Sequence, residues 1–169
     1  MTTVTAIPVP AESVLKAAIG DADFHDAYAA RLADGSLSPI EIGLRVMRST
    51  PRWVSLLMSV RNRLVSMVGL KDVGRMRDGT DRPADSYRVG DRLGIFSIFG
   101  SSEKEVLLGI DDRHLDVRVS ILKMRRDGAD SYVVSTAVHI KNLLGRIYML
   151  PVARIHPLVV KASMRRMPL

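Results

Sequence analysis

The stretch HLDVRVSILKMRRDGADSYVVSTAVHIK, residues 114–141, contains two runs of alternating apolar and polar side chains, separated by an Asp-Gly pair. Alternation with a period of two predicts strands, and Asp-Gly is a strong signal for a tight hairpin turn. If Asp127 and Gly128 form a two-residue turn, Asp116 lies opposite His139. The stretch therefore predicts an antiparallel hairpin with one apolar face and one polar face.

Three further segments predict that this hairpin belongs to a larger sheet. Residues 23–32, 92–99 and 105–110 also place apolar side chains at alternate positions, and the connectors after residues 99 and 110 are short and rich in Gly, Ser and Asp. The predicted apolar face gathers side chains from the later strands: Leu93, Ile95, Val106, Leu108, Ile110, Leu115, Val117, Val119, Ile121, Val134 and Val138. An apolar face of this extent needs a helix as its cover.

A pair of helices is predicted between the first strand and the rest of the sheet. Ser38, followed by a proline and then by Glu41, forms a capping-box pattern, and Thr50 with Pro51 repeats the signal of a cap followed by a proline. The second helix of the pair has an apolar stripe that should face the core: Trp53, Leu56, Leu57, Val60, Leu64 and Met67. Gly69 is expected to end it.

A long C-terminal helix is predicted after Asn142, which is a suitable cap. Its apolar residues recur at helical spacing: Leu144, Ile147, Tyr148, Ile155, Leu158, Val159 and Ala162. Pro151 and Pro157 should kink or split it. Taken with the strands, the pattern predicts an α+β domain in which a curved antiparallel sheet wraps around this helix.

The chain of 169 residues suits a single domain. Residues 1–20 are predicted to be an N-terminal extension with a short helical piece at residues 13–19, and residues 21–169 to be the domain itself. Residues 71–90, which are rich in Asp, Arg, Gly and Pro, are interpreted as a long surface loop that is either mobile or functional.

The positive charge is concentrated at one end of the chain. The sequence has 25 basic and 18 acidic residues, yet residues 141–169 contain six basic residues and no acidic one, so the first 140 residues carry only +1. Arg154, Lys161 and Arg165 fall on one side of the C-terminal helix, where they favour contact with an anionic surface. With 5% aromatic residues and no recognised motif, nucleic acid is not an expected partner.

Cysteine is absent and the four histidines are scattered, so neither a metal nor another cofactor is expected. The longest stretch without a charged residue is residues 1–11, which is short of the ~20 residues that cross a bilayer. The N-terminus lacks the pattern of a secretory signal, and the cytoplasm is therefore the expected compartment.

Three runs of residues resemble a bacterial family of domains of unknown function: LGIDDRHLDVRVS at 108–120, HIKNLLGRIY at 139–148 and ADFHDAY at 22–28. That family is similar to the START-like, helix-grip superfamily, which includes polyketide cyclases and lipid-transfer domains. The resemblance implies a bent antiparallel sheet that grips the C-terminal helix, with a cavity between the two. Because such folds serve both enzymes and passive carriers, the resemblance decides no chemistry.

Asp116, Arg118 and His139 are the candidate catalytic residues, because the predicted register places all three on the polar face of the sheet. A carboxylate beside a histidine can support acid-base chemistry, and an arginine can hold an anionic oxygen. The alternative is an ordinary network of charges across the strands of a solvated face.

The apolar face offers a second kind of site, for a small hydrophobic or amphipathic molecule. If packing against the long helix is incomplete, the pocket should be lined by these residues: Ile95, Leu108, Val117, Val119, Val138, Tyr148 and Ile155. Ligand binding is the leading hypothesis. The alternatives are a cyclase-like or hydrolase-like enzyme and an interaction module, either dimeric or bound to a membrane, that uses the basic helix.

Overall fold

The computed structural model describes residues 2–66 and 80–167 of the chain. It is an α+β structure with one curved, fully antiparallel sheet and a long C-terminal helix. The seven strands are β1 (Val4–Ala6), β2 (Phe24–Arg31), β3 (Arg92–Leu93), β4 (Phe96–Ser101), β5 (Glu105–Asp111), β6 (Leu115–Arg126) and β7 (Ala129–Ile140). Their spatial order is β1-β2-β7-β6-β5-β4-β3, so that β2 joins the last strand of the sheet.

The central hairpin has the predicted register. Asp127 and Gly128 both adopt positive φ, 52° and 77°, as the tight turn requires. Asp116 lies opposite His139, and Ile121 lies opposite Val134. The sequence pattern of residues 114–141 therefore determines this part of the fold locally.

Two strand predictions need correction. Residues 92–99 do not form one strand, because the chain reverses after β3 at Gly94, whose φ of 64° suits glycine, and returns as β4. Ile95 thus occupies a turn rather than the apolar sheet face. In addition, residues 2–20, called here the N-terminal segment, contribute β1, which has too few residues for a period to be visible.

The three helices are α1 (Pro39–Arg48), α2 (Arg52–Ser66) and α3 (Leu143–Arg166). The predicted capping box at Ser38 is confirmed. The side chain of Glu41 accepts a hydrogen bond from the backbone N–H of Ser38, and the side chain of Ser38 accepts one from the backbone N–H of Glu41. The Asn142 side chain accepts a hydrogen bond from the backbone of Gly145 at 3.1 Å and caps α3. Pro151 and Pro157 lie inside α3, which continues through both, so the predicted split does not occur.

Helices α1 and α3 cover the same face of the sheet, called here the inner face. Tyr28, Val119 and Val134 of this face belong to the main apolar core together with Ile42 of α1 and Met164 of α3. The sheet and its terminal helix are thus assembled as the sequence predicts.

The opposite, outer face is covered by the N-terminal segment, through Val9 and Leu15 packed on Val133 and Ala137. Glu105 is buried beneath this segment, and both of its carboxylate oxygens are occupied. One accepts hydrogen bonds from the hydroxyls of Ser13, at 2.6 Å, and Ser120, and the other accepts the backbone N–H of Val14 at 3.0 Å. These bonds fasten the N-terminal segment to the sheet.

Four of the six residues in the apolar stripe predicted to bury α2 face outward instead, and the side chains of Leu64 and Met67 lie outside the described part of the structure. Trp53, Leu56, Leu57 and Val60 are exposed, and Val54 is the buried residue of this helix among those described. Periodicity identifies an apolar face but not what covers it, which explains the error. The predicted end of the helix at Gly69 lies outside the described residues.

The described part of the predicted 71–90 loop is packed against the core. It contains a 3-10 turn at Ala84–Ser86, and Thr80 and Tyr87 are buried. Tyr87 is part of the main apolar core. Residues 80–90 therefore contribute to the stability of the domain, whereas residues 71–79 lie outside the described part.

Candidate functional site

The three polar residues singled out from the sequence lie on the outer face, but their side chains do not form one cluster. Each is paired with a different neighbour: Asp116 with Lys141 at 2.7 Å, Arg118 with Asp111 at 2.7 Å, and His139 with Asp21 at 3.1 Å. The hydrogen bond from His139 holds the pKa of the Asp21 carboxyl below its ordinary value. Arg118 also covers the ring of Phe99, 4.1 Å from its centre. The geometry is that of three separate surface ion pairs.

A different pair of titratable side chains lies on the inner face, between the sheet and α3. Asp26 of β2 and His156 of α3 are joined by Oδ2 and Nδ1 at 2.9 Å. Only 13% of the Asp26 side chain and 22% of the His156 side chain are exposed. Phe24 packs its ring against the imidazole at 84°, with 5.5 Å between the ring centres. The pair is therefore held in a largely dehydrated position.

The second oxygen of Asp26 distinguishes this pair from an ordinary ion pair. Oδ1 is buried, and no hydrogen-bond partner reaches it within the part of the chain that the structure describes. Thr136 lies opposite Asp26 on β7 and is itself buried. A buried polar atom left without a partner costs about 1–3 kcal/mol, and more when it carries charge. Thr50, Asp116, Tyr132 and Ser135 each also have a buried side-chain oxygen without a hydrogen bond, so Oδ1 of Asp26 is set apart by its position beside His156 between two apolar clusters.

Tyr28 and Lys161 extend the polar surroundings of Asp26. Burial, and secondarily the nearby Asp26 carboxylate, raise the pKa of Tyr28 to about 12. The ammonium of Lys161 lies 5.1 Å from the centre of the Tyr28 ring. Lys161 therefore turns toward the sheet and does not stand with Arg154 and Arg165 on the solvent side, as the helical spacing predicted.

Asp26, Thr136 and His156, called here the polar belt, interrupt the apolar inner face. On one side lies the main core with Tyr28 and Val134, and on the other lies a smaller apolar cluster around Val138 and Met149. The polar belt thus faces apolar groups in both directions along β2 and β7. A few polar atoms among apolar walls are the usual composition of a small-molecule site.

The residues predicted to line a ligand pocket are distributed unevenly about this belt. Val117, Val138 and Tyr148 belong to the smaller cluster beside it. Leu108 and Val119 are buried in the main core, where Val117 also makes contact. Ile155 is 37% exposed on the outward side of α3, so its predicted place on the packing side of the helix is wrong.

Two pockets among the described residues lie away from the polar belt. Among the described residues, a pocket of about 10 Å³ beside Tyr132 and Met167 has room for at most one water molecule. An open depression of about 210 Å³ lies at the start of α3, beside Lys141 and Arg146. Neither is lined by the polar belt, so a molecule bound there must displace part of the helix packing.

Sequence reasoning missed Asp26 and His156 although one signal was present. Asp26 is two residues from Phe24 and from Tyr28, so its side chain lies on the same face of β2 as theirs and as that of Ala30. It is therefore a carboxylate on a face that is otherwise apolar. His156 carries no comparable signal, because 130 residues separate it from Asp26. Their contact depends on the tertiary fold.

Chemically, an aspartate bonded to one nitrogen of a histidine fixes the orientation of the ring. The same arrangement lets the other nitrogen exchange a proton with a bound molecule. A domain with these features is a small α+β module with an Asp-His pair between its sheet and its terminal helix.

Comparison with known sequences places the chain in a family. The model of the family described as "Protein of unknown function (DUF2867)" matches residues 18–163, and the protein belongs to this family. No curated protein and no solved structure matches the chain.

Proposed function

We propose that this domain binds a small amphipathic molecule between the inner face of its sheet and α3. The observation that carries the proposal is the buried Oδ1 of Asp26, which has no partner among the described residues and lies beside His156 on an apolar surface. A buried hydrogen-bond acceptor of this kind gains most from a ligand that brings a donor. The sheet and terminal helix, and the resemblance to START-like, helix-grip domains, support the same location.

The chemistry of the polar belt favours a particular class of ligand. Asp26 accepts hydrogen bonds, so the head of the ligand is a hydroxyl or an amine rather than a carboxylate, which Asp26 would repel. The smaller apolar cluster with Val138 and Met149 is suited to a short hydrocarbon body. We therefore expect a compact alcohol or amine with an apolar tail.

Entry of the ligand requires α3 to move away from β2, because neither of the two pockets is lined by the polar belt. The residues that α3 buries against the domain include small or polar ones, namely Gly145 and Ser163, alongside Met149 and Met164. Small side chains leave little apolar contact to break when a helix separates. This composition supports a helix that can admit a ligand without unfolding the sheet.

The proposal is tested with decanol and decylamine as ligands and decanoate as the matched negative. Native mass spectrometry and thermal shift should show binding of the first two and not of decanoate. In D26N the preference for decanol and decylamine over decanoate should be lost. The affinity for decylamine should fall at least about tenfold, as expected for one charged hydrogen bond.

D116N is the control variant, because Asp116 is also a half-buried carboxylate paired with a cation, but on the outer face. It should bind both ligands as the wild type does. Equal binding of decanol and decanoate, or equal losses in D26N and D116N, would show that the polar belt is not the site.

A further inference from the structure

The outward side of α3 is apolar, and none of the residues that the structure describes covers it. Leu143, Leu150 and Leu158 are 72%, 68% and 61% exposed, and Ile147 is 55% exposed. Spacings of three, four and eight residues put these four side chains along one line of the helix. An exposed apolar strip of this length on a soluble protein indicates a surface that binds something.

The charges on the same side of α3 indicate what kind of partner covers it. Arg154 lies in line with the four apolar residues, Arg165 lies two turns further on, and both are exposed. Helix α3 contains five basic residues and no acidic one. The partner must therefore offer an apolar layer and negative charge together.

We propose that the outward side of α3 docks on an anionic lipid bilayer, along which the helix lies. A lipid surface provides negative headgroups above hydrocarbon, and a helix can lie in that plane with its leucines in the hydrocarbon while the long Arg side chains of the same strip reach the headgroups. A second copy of this chain would instead bring two basic helices together. Charge complementarity thus selects the bilayer as the occupant.

Helix α3 lies on the bilayer rather than crossing it. By length and hydropathy alone, Leu143–Arg166 is long and apolar enough to span a membrane, and only 11% of its most apolar window is buried. The sequence analysis predicted no segment long enough to cross a bilayer because it considered only stretches without charged residues. Arg146 and Arg154 interrupt this helix, so it did not meet that criterion. However, His156 and Lys161 bind side chains of β2, and Met164 is buried in the core.

This surface is independent of the proposed ligand site, because it uses the opposite side of α3. Its test is flotation of the full chain with vesicles of phosphatidylcholine, with and without 30% phosphatidylserine. Binding should require phosphatidylserine and weaken as salt is raised. R154S/R165S should weaken it about 25-fold, since each Arg near an anionic surface contributes about fivefold, and L150S about tenfold.

A matched control removes two charges from elsewhere on the surface. Lys16 and Lys104 are both exposed, and Lys16 belongs to the N-terminal segment on the outer face of the sheet. K16S/K104S should bind vesicles nearly as well as the wild type. Circular dichroism is expected to show that all variants remain folded, because every replaced side chain is largely exposed.

Insertion of the helix is measured directly, since the chain has no cysteine. An environment-sensitive dye on L150C should shift to the blue on phosphatidylserine vesicles, and one on E103C should not. Equal binding to neutral and anionic vesicles, no binding to either, or equal losses in the two double variants would overturn the proposal. So would a dimer in sedimentation that L150S dissociates, because the occupant would then be a second copy.

Discussion

Glu105, which is buried, and Asp26, which is largely buried, lie on opposite faces of the same sheet, and their surroundings differ. Glu105 on the outer face receives three hydrogen bonds, two at one oxygen and one at the other. Asp26 on the inner face binds His156 through Oδ2 and also interacts with the hydroxyl of Tyr28, whose pKa it helps to raise, whereas its Oδ1 has no hydrogen-bond partner among the described residues. Both are enclosed, but only Glu105 is fully satisfied.

The difference separates a structural role from a binding role. A carboxylate whose hydrogen bonds are all made within the chain holds elements together, as Glu105 holds the N-terminal segment. A carboxylate that is buried and incompletely bonded lowers stability, and such groups persist where something else requires them. The comparison predicts that the two residues respond oppositely to mutation.

The largest effect is expected for E105A. Removal of the carboxylate leaves Ser13, Ser120 and the N–H of Val14 without their acceptor, and at about 1 kcal/mol or more for each bond the free energy of unfolding should fall by about 3 kcal/mol. Urea denaturation measures it. E103A, at an exposed neighbouring site, should change stability by less than about 0.5 kcal/mol. If E105A lowered the free energy of unfolding by less than 1 kcal/mol, Glu105 would not have the structural role that separates it from Asp26.

A smaller effect of the other sign is expected for D26V/H156L. Replacing a buried ion pair with apolar residues of similar size is often neutral or stabilising, and here it also removes the unsatisfied oxygen. The free energy of unfolding should stay the same or rise by up to about 2 kcal/mol, while binding of decylamine is abolished. Destabilisation by more than 2 kcal/mol in the same urea experiment would assign Asp26 a structural role like that of Glu105.

The smallest effect concerns pH. The pKa of Tyr28 is raised to about 12 in the folded state, by burial first and by the Asp26 charge second. The unfolded chain therefore loses this proton from about pH 10, so the stabilising contribution is complete below pH 10 and is lost as the pH rises toward 12. Y28F should flatten the decline of the urea midpoint between pH 10 and 12, by less than about 1 kcal/mol. D26N should fall between Y28F and the wild type, and an unchanged slope in D26N would mean that burial alone raises the pKa of Tyr28.

Local signals explain which parts of the fold were predictable. The Asp127-Gly128 turn, the capping box at Ser38 and the cap at Asn142 depend on neighbours in sequence, and all three are confirmed. The orientation of α2 and α3 was not predictable, because an apolar stripe looks the same whether the domain or an outside partner covers it.

The candidate site depended on information that periodicity does not contain. Asp116 and His139 attracted attention because their register could be read from one hairpin, and they are indeed opposite each other. Asp26 and His156 come from distant elements, and only the order of the strands brings them together. The one available signal in the sequence was that Asp26 alternates in step with the apolar residues of its strand.

The junction of β2 with β7 also bears on how the chain folds. Its paired residues are far apart in sequence, from Arg31 with Ser131 to Phe24 with Val138. Closing so long a loop is slow, so the hairpin of β6 and β7 should form first and β2 should join it late. Asp26 and His156 meet only after that step. A fragment that lacks either β2 or α3 can keep the hairpin, but it contains no polar belt, and the proposed binding site is therefore a property of the completed fold alone.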